Sequence, residues 1–115
     1  MAQDFWSALD ALVETTQVVI DRPAGSAHPR FPAFLYPLDY GYLLGTSSMD
    51  GEGIDVWLGS RPELGITAVM CTVDLIKRDS EIKILLGCTE EEQTTIHRFH
   101  NNSELMKGLL IPRKE

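Results

Sequence analysis

Three carboxylates fall within six residues where the chain reads MDGEGIDVWLG: Asp50, Glu52 and Asp55. Glycines separate them, and an apolar stretch follows directly. Oxygen ligands on a flexible approach, backed by a rigid element, suit a hard divalent cation. Gly51 and Gly53 let the backbone turn tightly enough to bring the three acids around one point. Asp50 and Asp55 are then the natural metal ligands, and Glu52 is placed to take a proton from a metal-bound water. An acidic surface turn would use the same residues, since Asp and Gly are ordinary turn formers. An EF-hand is excluded, because its loop pattern and closing Glu are missing.

Other chemistry-bearing residues lie on either side. In KRDSEIK, Glu81 and Lys83 are two residues apart, so a strand would place them on one face. Glu81 could complete a metal site and Lys83 could hold an anionic oxygen; a solvated hairpin carrying an ion pair of little energetic weight fits equally. Tyr36, Tyr40 and Tyr42 precede the acidic run. A phenol can hydrogen-bond a phosphate oxygen, and an aromatic core accounts for at least one of the three. Asp39, between them, needs a partner. Arg30 in the HPR sequence can clamp a phosphate in bidentate fashion, and His28 can act as a ligand or general acid, although prolines alone could shape this loop. His97 and His100 are three apart, with no third ligand nearby in sequence to make a metal site.

The elements that must position these residues can be read from periodicity and turn chemistry. Asp4 to Glu14 is expected to be a capped helix, and Gln17 to Asp21 a strand. Arg22 to Pro32 is loop. Strands are expected at Tyr40 to Leu44, Ile54 to Leu58 and Ile66 to Ile76, and Glu81 to Leu86 alternates with period two. Lys77 to Ser80 would turn a hairpin between the last two. Thr89 caps a helix from Glu90 to about His100, with glutamates in its first turn. A helical turn near Ser103 to Lys107 is expected before a closing strand at LLIP. The reading is mainly β with flanking helices (α+β): a small barrel or curled sheet.

At 115 residues and 43% hydrophobic, residues 1–115 fit one domain with one modest core. A net charge of -7 with scattered Lys and Arg argues against a nucleic-acid partner. Such a chain would need cations to recruit an anion. Cys71 and Cys88 sit in apolar surroundings without a disulfide framework or CxxC spacing, which points to buried thiols. The N-terminus lacks the apolar core of a signal peptide and no apolar run could cross a bilayer, so no membrane partner and a cytoplasmic location are expected.

Taken in order, these segments resemble the family I soluble inorganic pyrophosphatases. VVIDRP is similar to the family strand that ends in an active-site acid, here Asp21. YPLDYGYL resembles the family's YP-x-NYGY segment and places Tyr40 at its phosphate-binding tyrosine. DGEGIDV resembles the signature D-G-D-P-x-D-V, with Asp50 and Asp55 as metal ligands and Glu52 as the acid that activates the attacking water. EIK resembles the family's D-x-K, with Glu81 a metal ligand and Lys83 a phosphate contact; Asp79 stands for the acid before it. The match runs from about Val18 to Ile84. Glu52 and Glu81 replace aspartates, Gly53 replaces a proline, and a hairpin is shortened to leave Arg30 as its stand-in arginine. Asn102 and Ser103 occupy the place of a Tyr-Lys pair. The resemblance implies a five-stranded OB-like barrel and self-association into a homo-oligomer. It implies Mg²⁺-dependent hydrolysis of pyrophosphate, with Mn²⁺ as a substitute. A metal-dependent phosphate-binding module without turnover, or a hydrolase of another phosphoanhydride such as a nucleotide, are the alternatives.

Overall fold

A computed structural model describes residues 4–48 and 51–114. The elements in chain order are α1 (Phe5–Glu14), β1 (Gln17–Arg22), β2 (Asp39–Leu44), β3 (Asp55–Leu58), β4 (Ile66–Asp74), β5 (Asp79–Leu86), α2 (Glu90–Phe99) and β6 (Met106–Pro112). Both helices begin on side-chain caps. Asp4 accepts from the Ser7 amide at 2.7 Å. Thr89 and Glu92 form a reciprocal capping box, which satisfies two amides that the helix itself leaves unpaired. No helix among the described residues is long and apolar enough to cross a membrane.

The strands form one sheet in the order β1-β2-β3-β5-β4-β6. Neighbours are antiparallel except β3 and β5, which run parallel. This corrects the expected five-stranded barrel: the sheet has six strands and is open, with β1 and β6 at its two edges. Among the described strands β1 pairs with β2 and β6 with β4, so nothing joins the two edges into a closed barrel. The closing strand expected at LLIP starts earlier, taking Met106 and Lys107 from the expected helical turn, and pairs with β4 from Met106 to Pro112. Its exposure alternates residue by residue, and Gly108 disfavours helix, so the long apolar edge of β4 captures it. The β4–β5 turn also comes earlier than expected, at residues 75–78. Asp74 Oδ1 accepts from the amides of Ile76 and Lys77 at 2.9 and 3.0 Å and so starts the turn there.

Period-two alternation gives the sheet two different faces. Leu43, Val56, Ile66, Ile84 and Leu86 pack on one face beneath α1, against Trp6, Leu9, Leu12 and Val13. Tyr40, Trp57, Ala68, Met70 and Leu85 pack on the other, with Ile96 and Phe99 of α2. Along this second face each strand changes from apolar to polar. Trp57 gives way to Asp55, Leu85 to Lys83 and Glu81, and Met70 to Thr72 and Asp74. The apolar end anchors α2, and the polar end floors a cleft. Cys71 and Cys88 are unbridged; Cys88 is buried, whereas Cys71 is half-buried rather than fully enclosed as expected.

Candidate functional site

The parallel pairing of β3 and β5 sets Asp55 beside Lys83 in register. Lys83 is buried, and its Nζ donates to Asp55 Oδ2 at 2.7 Å and to the Tyr40 hydroxyl at 2.8 Å. Glu81, two residues back on the same face, brings Oε2 within 3.6 Å of the same ammonium. The Glu81 and Lys83 side chains are each 8% exposed and Asp55 is 23% exposed, so this charge group is largely screened from bulk water. Burial pushes the Tyr40 phenol well above its ordinary range, and the Asp55 charge and hydrogen bond push it further. Tyr40 therefore stays protonated and can donate a hydrogen bond.

A cleft of about 780 Å³ opens over this group. Asp21, Glu52, Asp79 and Arg30 all line it from other segments. Asp21 lies in a bulge: Ile20 pairs with Gly41 and Arg22 with Tyr40, so Asp21 is the extra residue. Glu52 and Arg30 are exposed at the rim, and Asp79 is half-buried opposite Asp74 at the start of β5. Asp50 lies outside the described residues.

Two features of this cleft carry little or no signal in the sequence. The β1 bulge turns Arg22 inward, where it donates to the Tyr36 hydroxyl and lies 5.6 Å from that ring's centre. The DRP sequence offered a signal, since a Pro directly after a strand-end Arg can accompany a bulge. His100 and Trp57 are joined by a 3.0 Å bond from the indole Nε1–H to His100 Nε2. Because Nε2 accepts, the neutral ring carries its proton on Nδ1, a buried donor with no partner among the described residues. Burial, then Lys83 and His97, lower the His100 pKa to about 3. His97 is exposed, so the two histidines do not converge. Sequence carries no signal for a contact across 43 residues.

Other expectations resolve into loop structure. Asp39 finds its partner in the Ala24 amide, 2.8 Å from Oδ1, which ties the Pro-rich loop to β2. His28 Nδ1 accepts from the amides of Arg30 and Phe31 at 3.1 and 3.3 Å, so that nitrogen shapes the loop. Burial, followed by Arg22, Lys77 and Arg30, lowers the His28 pKa.

Among the described residues no three His, Cys, Asp or Glu side chains gather as a metal-holding group. Two carboxylates, Asp55 and Glu81, do face one point, marked by the shared Lys83 ammonium. Mg²⁺ keeps several waters and commonly takes only one or two carboxylates plus substrate phosphates. The donor set, all hard oxygen, fits that ion.

The mixed six-stranded sheet with its two helices is pyrophosphatase-like in fold. It is similar to the crystal structure of an inorganic pyrophosphatase from Neisseria gonorrhoeae, with a TM-score of 0.56, 22% identity, and coverage of 78% of this chain and 77% of that one. No family model matches the chain, and no curated protein sequence does.

Proposed function

We propose that this protein hydrolyses inorganic pyrophosphate to two phosphates with Mg²⁺, for which Mn²⁺ substitutes. The observation that carries the reading is the convergence of Asp55, Glu81 and Tyr40 on the buried Lys83 at the floor of one cleft. The likeness in fold to a pyrophosphatase supports it. Asp55 and Glu81, with Asp50, Asp79 and Asp21 as further acids, would hold the cation, which when bound supplies charge neutralisation and a water of lowered pKa.

The chain's own residues account for the rest. Lys83 carries three N–H donors, enough to bind a phosphate oxygen while keeping contact with Asp55. Tyr40, neutral and held by Lys83, offers its O–H to the same phosphate. Arg30 and Glu52 line the cleft; in this reading Arg30 clamps the departing phosphate in bidentate fashion and Glu52 accepts the proton of the attacking water. Donors fixed in a screened site stabilise the charge that develops during phosphoryl transfer. Self-association and a cytoplasmic location go with this reading.

A second reading, a phosphate-binding module without turnover, draws on Asn102 and Ser103. Both line the cleft, and both are neutral. Phosphate release from pyrophosphate, measured with Mg²⁺ and again with EDTA, separates the two. Release that needs Mg²⁺ and drops at least about hundredfold in Asp55→Asn supports hydrolysis. Tight Mg²⁺-dependent binding of pyrophosphate without release supports the module, and undiminished activity in Asp55→Asn removes that residue from the site.

A further inference from the structure

The cleft extends well past its charged floor. Its outer wall is a run of rings: His28, Phe31 and Phe34 from the loop between β1 and β2, then Tyr36, then Phe99 at the end of α2. They form a branched run about His28: ring centres are 5.2 Å apart for His28 and Phe31, 6.1 Å for Phe31 and Phe34, 6.0 Å for His28 and Tyr36, and 5.4 Å for Tyr36 and Phe99. Phe31 remains 44% exposed although it lines the cleft.

The loop backbone fixes this wall. Ala27 and Leu35 form an antiparallel bridge. Tyr36 and His28 amides donate to the carbonyls of Ser26 and Phe34, each at 2.9 Å. The His28 ring in turn receives two amides of the same loop. The rings are therefore held by a small hairpin rather than gathered by chance collapse. An inorganic diphosphate has no apolar surface with which to cover them. A cleft of about 780 Å³ falls in the range of pockets that enclose organic ligands, roughly 300–1,000 Å³. A charged floor continuous with an aromatic wall matches a ligand that is anionic at one end and flat and aromatic at the other.

We infer that the cleft takes a diphosphate bearing a planar aromatic group, a nucleoside diphosphate or a longer homologue, with its phosphates over Lys83 and its base against Phe31 and Phe34. This rests on the diphosphate hydrolysis proposed above and extends the substrate class of that same site from inorganic pyrophosphate to organic diphosphates. Hydrolysis consumes one water. The water oxygen bonds to the terminal phosphorus, the bridging P–O bond breaks with its electron pair left on the departing phosphate, and Glu52 takes the proton. A nucleoside diphosphate yields a nucleoside monophosphate and inorganic phosphate.

The test uses two non-hydrolysable probes that differ only by the nucleoside: methylenediphosphonate and α,β-methylene adenosine diphosphate. Their binding to the whole protein is measured by calorimetry with Mg²⁺. The nucleoside form is expected to bind about tenfold more tightly, the scale of one base–aromatic stack. Phe31→Ala, at an exposed position, should erase that excess while leaving methylenediphosphonate binding as it was. Phe34→Leu gives a second, milder variant with the same expected direction. Equal affinity for the two probes in the unaltered protein would overturn the inference and leave the diphosphate reading standing. A tenfold preference that survives both substitutions would overturn the placement of the base. Binding of neither probe would overturn the inference and the function on which it rests.

Discussion

Replacing Lys83 with Met isolates the charge balance of the cleft floor. Met keeps most of the side-chain volume and removes only the ammonium, so packing against Met70 and Tyr40 is largely preserved. What remains are two carboxylates facing one point, with Glu81 8% exposed and Asp55 23% exposed. Removing one partner of a buried ion pair typically costs 3–5 kcal/mol. Asp55 opens partly to the cleft, so the lower end applies, about 3 kcal/mol. For a domain of this size that lowers Tm by about 10–15 °C. Thermal denaturation followed by circular dichroism near neutral pH reads this directly. Divalent cation should then reverse the loss. At about one hundred times its dissociation constant, Mg²⁺ bound only by the folded state restores about 2.7 kcal/mol. Lys83→Met should gain more from Mg²⁺ than the unaltered protein, whose ammonium already occupies the same carboxylates. A Tm unchanged by the substitution would refute the buried charge group. A large loss that Mg²⁺ does not repair would refute Asp55 and Glu81 as a cation site.

Two other outcomes follow from the geometry. The His100 pKa is lowered from 6.5 to about 3, so the folded state resists a proton that the unfolded chain accepts. Stability is then complete above about pH 6.5 and falls as pH drops toward 3, by about 1.4 kcal/mol per pH unit for this group. Urea denaturation at several pH values should show that slope in the unaltered protein and a shallower one in His100→Gln. Equal slopes would remove His100 as the cause. Gly41 faces β1 so closely that an added Cβ would lie 1.7 Å from the Val19 carbonyl oxygen. Gly41→Ala should therefore cost at least about 3 kcal/mol in denaturant unfolding, since backbone cannot yield as a side chain can; a loss below about 1 kcal/mol would contradict the close β1–β2 approach.

Much of the local architecture is legible in sequence because its causes are local. Asp4 and Thr89 are capping residues placed directly before helical patterns, and both cap. The Glu81–Lys83 alternation fixes a shared face whatever the strand's neighbours are. What was not legible depends on pairing between distant segments. Nothing in the sequence states that β3 and β5 run side by side in parallel, yet that register is what brings Asp55 to Lys83. The bulge that makes Asp21 an extra residue and turns Arg22 inward depends on β2, not on β1 alone. Only the first residues of β6, Met106 and Lys107, lost a helical expectation to the edge of β4, a tertiary influence over weak local preference; the closing strand at LLIP is as expected. The Trp57–His100 bond joins residues whose types are common in any core.

Diffraction from crystals soaked in Mn²⁺ and methylenediphosphonate, recorded at a wavelength where manganese scatters anomalously, bears most directly on the central claim. An anomalous peak within about 2.0–2.3 Å of carboxylate oxygens from Asp55 and Glu81, with a phosphonate oxygen on the same ion and another on Lys83, is the expected result. A diphosphonate bound elsewhere, or a cleft in which manganese never meets either carboxylate at saturating concentration, would contradict it.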